Sequence, residues 1–177
     1  MSATAARDTQ ATAFTDPDVV RDALARTPEA AYIMTSAYEL ARAGVVVRWV
    51  QRAAEEPLLV SVALRKGHPI EMLIRDSHCF ALCRVPEDDP ALLRRFEAEG
   101  SSPINIFDTL DVETLVTGAP CLKRASLIID CEVHRHLDID ADHEIYVGLV
   151  REAKVCGARA PSNGAAKPPR SRTRATS

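Results

Sequence analysis

Aromatic residues are scarce, with one Trp, three Tyr and four Phe among 177 residues. Binders of single-stranded nucleic acid stack bases on aromatic rings, so this composition argues against that class. Long apolar runs are missing too: no stretch approaches the ~20 residues of a membrane span. The opening MSATAARDTQATAFTD lacks the apolar segment of a secretion signal. These absences predict a cytoplasmic chain with no membrane partner. The five cysteines (79, 83, 121, 131, 156) are odd in number and include no Cys-x-x-Cys pair, which fits neither a complete disulfide framework nor a zinc ribbon. Reduced, mostly buried thiols are expected. Glycine-rich phosphate loops of Walker or Rossmann type are absent, and Ser61 lacks the flanking pattern of a nucleophile elbow.

What is present is aliphatic. Hydrophobic residues make up 46% of the chain, and at this length roughly two-thirds of the unfolded surface is buried on folding, enough for one core. Residues 157–177 hold Arg159, Lys167, Arg170, Arg172 and Arg174 and no acid; against a total of -3, those five charges leave -8 on the other 156 residues. Tails at 1–15 and 157–177 are expected to be disordered around one domain at 16–156. The basic tail could touch nucleic acid or an acidic surface, although solubilising tails share this composition.

Thr15 and Asp16 before Pro17 signal a helix start, with Val19, Val20, Ala23 and Leu24 at helical spacing. AAYIMTSAYE, GVVVRWVQ and PLLVSVALRK then read as three strands of a meander. PIEMLIRDS reads as a helix, HCFALCRV as a strand and PEDDPALLRRFEAEG as a helix with Leu92, Leu93 and Phe96 inward; about 100–120 reads as loop. RASLIIDCEVHRHLDI and HEIYVGLVREAKV form a hairpin around DADH. Six or so antiparallel strands with helical covers predict a mainly β, closed or nearly closed barrel, since closure removes exposed edges.

Three places could carry chemistry. Strand PLLVSVALRK runs into Gly67, His68, Pro69 and a helix from Ile70, with Arg65 and Lys66 beside it. A helix N-terminus with added positive charge is an anion site in waiting, and Pro69 at the first helical position removes a donor left unpaired anyway. A turn with solvated basic residues is the plainer reading. The segment from Val47 to Pro57 carries the only Trp, and its strand end, with small Ala53 and Ala54, suits a flat heteroaromatic ligand. Trp49 as a core residue is the alternative. His143, at a strand start, could donate to a ligand oxygen or phosphate, or be an ordinary turn residue. His134 and His136 share a strand face and could be drawn with His143 as a metal site, but any solvated strand shows that alternation.

At these residues the order becomes familiar. The loop ending in Glu56-Pro57 before PLLVSV, the Arg65-Lys66 strand-to-helix junction, TGAPCL, and Asp142-His143 ahead of Val147-Gly148-Leu149-Val150 together resemble the flavin reductase-like family, over about residues 28–155. The resemblance implies a six-stranded antiparallel Greek-key split barrel of the FMN-binding type with short covering helices. It further implies a homodimer with FMN at the subunit interface. By that likeness Lys66, Gly67, His68, Pro69 and Ile70 hold the phosphate. Arg48, Trp49, Val50, Gln51, Arg52, Ala53 and Ala54 line the ring, Ser61 and Val62 border it, and His143 approaches the flavin. No protein nucleophile is needed, because the hydride chemistry belongs to the cofactor.

Two departures stand out. Many relatives carry a hydroxyl residue where this chain has Ile70, and an Asn where it runs Val45-Val46-Val47. A lost hydrogen bond to a charged phosphate would weaken binding by about 1.5–3 kcal/mol. The resemblance thus implies an oxidoreductase passing hydride from NADH or NADPH to flavin and on to a small molecule or partner protein. The alternative is a split-barrel dimer that binds or senses flavin, or holds no ligand, without turnover.

Overall fold

Asp16 caps the first helix with its own side chain, accepting from the Asp18 N–H at 2.9 Å, and Pro17 supplies a preset φ at the first helical position. This computed structural model describes residues 16–97 and 106–156; the expected tails at 1–15 and 157–177 lie outside the described residues. Helix α1 is Pro17–Leu24, and none of its residues is buried. Strands β1 (Tyr32–Tyr38), β2 (Ala41–Val47), β3 (Val50–Ala54) and β4 (Leu59–Arg65) follow. Then come α2 (Ile70–Ser77), β5 (Cys79–Arg84), α3 (Pro90–Glu97) and a 3-10 turn at Ile106–Thr109. Strands β6 (Val112–Thr114), β7 (Pro120–Leu122), β8 (Leu127–Asp138) and β9 (His143–Val155) complete the order.

The strand expected from GVVVRWVQ is broken at Arg48-Trp49, so four strands stand where three were read. Nor do they form a meander. The main sheet is antiparallel with seven strands in the order β2-β1-β5-β8-β9-β4-β3, which puts β2 and β3 at opposite edges. A two-residue link cannot join opposite edges of an open sheet of that width, given ~4.8 Å between neighbouring strands. The sheet therefore curls until β2 comes back against β4, and the Ala63 N–H donates to the Trp49 carbonyl at 3.1 Å, carrying the β3–β4 ladder one pair into the link. The result is the split barrel, mainly β, with helices covering it. Strands β6 and β7 pair separately, so part of the expected loop at 100–120 is a short hairpin, while 98–105 lie outside the described residues.

Alternation along β5 builds two cores from one strand. Cys79, Ala81 and Cys83 face one cluster with Ile33, Leu92, Phe96, Phe107 and Cys121, beneath α3 and the small hairpin. Phe80 and Leu82 face the barrel interior with Met34, Val62, Leu64, Ile70, Ile74 and Tyr146. Leu93 is only partly buried against the first cluster, less inward than its neighbours Leu92 and Phe96. Burial pushes the Cys83, Cys121 and Cys131 thiols up to about 12, so they remain neutral hydrophobes. Asp130, fully buried, accepts from the Thr117 N–H at 2.8 Å and its hydroxyl at 2.5 Å, pinning the turn between β6 and β7 to β8.

The β8–β9 hairpin closes through a turn with Asp140 at φ 53°, a left-handed position that Asp tolerates. Gly148 in β9 has a specific reason to be glycine: a Cβ there would lie 2.6 Å from Phe80 Cζ and 2.8 Å from Cys131 Cβ. Among the described residues no helix is long and apolar enough to cross a membrane.

Candidate functional site

The strand-to-helix junction is less open to an anion than its sequence suggests. Pro69 occupies the N-cap, one position earlier than expected, and has no side chain with which to cap. Its neighbours satisfy the helix start instead. The His68 N–H donates to Glu71 Oε1 at 3.0 Å, the Ile70 N–H donates to His68 Nδ1 at 3.2 Å, and the Glu71 N–H donates to the His68 carbonyl at 3.0 Å. Donors that would cradle a phosphate already have partners. Burial holds the His68 pKa below its ordinary value, with Glu71 opposing, which keeps Nδ1 available as an acceptor. Lys66 Nζ contacts Asp138 Oδ1 at 2.6 Å; that hydrogen bond raises the ammonium pKa and lowers the carboxyl. Both groups are exposed enough for water and salt to weaken the pair, so an incoming phosphate can exchange with Asp138 at small cost.

The better-formed site lies where β2 meets β4. A cavity of about 250 Å³ opens between Val45–Val47 on one side and Ala63 and Arg65 on the other, with Trp49, His143, Arg48 and Glu29 around its mouth. Each polar group is held by the fold. Trp49 sits in the two-residue link, its carbonyl tied to β4 and its indole N–H donating to Glu29 Oε1 at 2.7 Å. The ring stays 52% exposed and lies over the His143 imidazole, centroids 4.8 Å apart and tilted by 45°. Register pairs His143 with Arg65, bringing the start of β9 to the end of β4.

The His143 Nδ1 approaches Asp142 Oδ1 at 3.0 Å, and the hydrogen bond holds the Asp142 carboxyl below the usual range. This fixes the ring with Nδ1–H on Asp142, leaving Nε2 to accept when neutral and to donate when protonated. Arg48 pairs with Glu97 at 3.2 Å across exposed surface, whereas Arg65 makes no side-chain hydrogen bond among the described residues and lies near enough to Asp142 for its charge to help hold that carboxyl low. An indole platform, an oriented imidazole and two guanidiniums suit a planar heteroaromatic group that carries an anion.

The expected site residues divide into four groups. Arg48, Trp49 and His143 converge on the cavity. Val50, Gln51, Arg52, Ala53 and Ala54 form β3, a sheet edge whose central residues are exposed, so its outer N–H and C=O groups and one face are open. Ser61 lies opposite Gln51 in register beside that strand. Lys66, Gly67, His68 and Pro69 sit together at the junction. Val62 and Ile70 are different: their side chains are fully buried in the barrel interior, so only their backbone can reach a ligand. His136 belongs to another cluster, with Nε2 2.7 Å from Glu144 Oε2 and its ring stacked on Tyr146 at 4.5 Å. Burial and the Glu144 hydrogen bond raise the Tyr146 pKa. The sequence reading did not place Glu29 or Ala63 at the site. Neither belongs to a motif, and only the curling of the sheet brings them there.

The curled seven-stranded sheet with its cationic, aromatic seam is an antiparallel split barrel. The chain belongs to the flavin reductase-like domain family, which matches residues 24–166. It superposes on flavin reductase PheA2 with a TM-score of 0.69 at 22% identity, covering 80% of this chain and 88% of that one. The Streptomyces globisporus NADH:FAD oxidoreductase SgcE6, in complex with NAD and FAD fragments, superposes with a TM-score of 0.72 at 23% identity, covering 83% and 88%. Diflavin flavoprotein A 1 of Synechocystis sp. is 26% identical over 137 residues, 77% of this chain and 24% of that protein. The chain thus spans about a quarter of the length of the curated relatives it matches.

Proposed function

We propose that the protein is a cytoplasmic homodimeric flavin oxidoreductase. It binds FMN at the seam, accepts hydride from NADH or NADPH, and passes electrons to a small molecule or partner protein. The observation that carries this reading is the seam itself: Trp49 over His143 with Arg65 beside them. When bound, the flavin supplies the hydride chemistry, and the chain supplies position and charge. Trp49 offers an apolar face, and the free edge of β3 offers backbone N–H and C=O groups to the heteroatoms of the ring. Arg65 and Arg48 favour negative charge on the ring and phosphate. His143, held by Asp142, presents Nε2 toward the same space.

Lys66 holds phosphate after exchange with Asp138, and His68 can leave its helix-capping role to do the same. The second copy covers β3, whose exposed central residues and unpaired edge are a natural template for association. Five free thiols, four of them buried, support a reducing compartment. The self-capped start of α2 favours one feature of the non-catalytic alternative, a flavin held less firmly by its phosphate.

The test is an absorbance spectrum of the purified protein with FMN, repeated after adding excess NADH or NADPH without oxygen. Flavin bands that bleach support turnover. Bands that persist leave a flavin-binding module, and a protein that binds no FMN defeats the cofactor assignment.

A further inference from the structure

Trp49 sits in the two-residue link between β2 and β3, and its ring is 52% exposed. The bond from the Ala63 N–H to its carbonyl fixes the main chain and leaves the side-chain torsions free. An indole so exposed samples several rotamers unless specific contacts select one. Two contacts do so here: the His143 imidazole against the ring, and Glu29 Oε1, which accepts from the indole N–H at 2.7 Å. Ring contact tolerates sliding and rotation in the plane, whereas a hydrogen bond is directional and fixes where the N–H edge points. The orientation of the platform therefore depends on Glu29.

Glu29 is anchored away from the link it holds. It precedes β1, where the Val85 N–H donates to the Ala31 carbonyl at 2.9 Å and Tyr32 pairs with Val47 on one side and Arg84 on the other. The carboxylate is thus carried by the packed β1–β5 part of the sheet. It lines the seam cavity, which Arg48 also lines, and a second concavity, which Arg84 and Glu87 share with it. Among the described residues Glu29 forms an ion pair with neither guanidinium, and its side chain is committed to the indole. A hydrogen bond to an ionised acceptor is the stronger kind, so one such bond suffices to choose a rotamer.

We propose that Glu29 is the positioning residue of the flavin site, setting the Trp49 indole in the orientation that receives the flavin ring. This rests on reading the seam as the place where flavin binds. Glu29 acts through the tryptophan and is not a catalytic residue. Ordering the indole before the ligand arrives removes that entropic cost from binding, so the bond contributes to affinity although it lies within the protein.

The test uses the full chain as wild type, Glu29→Ala, Glu29→Gln and Glu87→Gln. Trp49 is the only tryptophan, so fluorescence anisotropy and acrylamide quenching without ligand report the motion and exposure of this one ring. Calorimetry then gives the Kd for FMN. Glu29→Ala is expected to lower the anisotropy, raise the quenching and weaken FMN about tenfold, with Tm close to wild type because both groups are exposed. Glu29→Gln keeps a carbonyl acceptor for the indole and should restore the anisotropy and bring the Kd to within about threefold of wild type. Glu87→Gln removes a carboxylate from the second concavity and should change neither readout. Wild-type anisotropy in Glu29→Ala, or FMN binding with the same Kd in that variant as in the wild type, overturns the role of Glu29 while the flavin reading stands. Equal weakening by Glu87→Gln also overturns it, since the effect would then come from charge alone. A wild type that binds no FMN defeats the flavin reading, and the positioning role with it.

Discussion

Strands β5 and β3 belong to one sheet and share almost nothing else. Five of the six residues of β5 are buried, and both its faces are packed, one against α3 and the small hairpin, the other into the barrel. No residue of β3 is buried, and its outer edge has no partner strand among the described residues. One strand is packed on both faces, and the other leaves backbone and side chains open, as the proposed ligand and second subunit require. Exposed edges invite association, and β3 leaves such an edge beside the seam.

If the division is real, substitutions should separate melting temperature from flavin affinity. Phe80→Ala, in the β5 side of the barrel interior, is expected to cost about 3–5 kcal/mol, which lowers Tm by roughly 10 °C for a chain of this size. Flavin affinity of the folded protein should hold. Gly148→Ala forces a Cβ against Phe80 and Cys131 and is expected to cost about 1–3 kcal/mol through overpacking. Differential scanning calorimetry ranks the two, and an unchanged Tm for Gly148→Ala would contradict the close approach in the barrel.

Trp49→Ala should do the opposite. Losing an aromatic platform is worth about 1–3 kcal/mol per stacked ring, about thirtyfold in affinity at the midpoint. Its Tm should stay close to wild type because the ring is half exposed. A variant that melts early with unchanged flavin affinity would move Trp49 from the site into the core.

The smallest effect concerns pH. Burial lowers the folded pKa of His68, so the neutral ring is favoured in the native state. Its stabilising contribution is fully present above pH 6.5, the ordinary histidine value, and is lost as pH falls through the lowered folded value. Protonation removes the Nδ1 acceptor from the Ile70 N–H. Melting curves from pH 7.5 to 5 should therefore fall more steeply for the wild type than for His68→Asn, and parallel curves would sink the cap.

The contrast also explains what was legible in the sequence. CFALCR and the two long strands of the last third announce themselves by composition and alternation, and β9 begins and ends where HEIYVGLVREAKV predicts. Asp16-Pro17 announces α1. The break at Arg48-Trp49 was hidden, because VVVRWVQ is uninterrupted strand material and only the curl of the sheet bends it. Glu29 was hidden for the same reason: it lies in no motif and reaches the site through one hydrogen bond to an indole 20 residues away. His68 and Lys66 sit at one junction because they are near neighbours in the chain. Their partners Glu71 and Asp138 were not legible, since a sequence shows where charges are and not which ones meet.

The central claim is that flavin sits at the seam, and Trp49, the only tryptophan in the chain, reports on it directly. Its fluorescence should be followed while FMN is titrated into the wild-type protein, with binding measured in parallel by calorimetry. Saturable quenching with the same midpoint as the calorimetric curve is the predicted result. Calorimetric binding of FMN with Trp49 emission unchanged would place the flavin elsewhere and contradict the account.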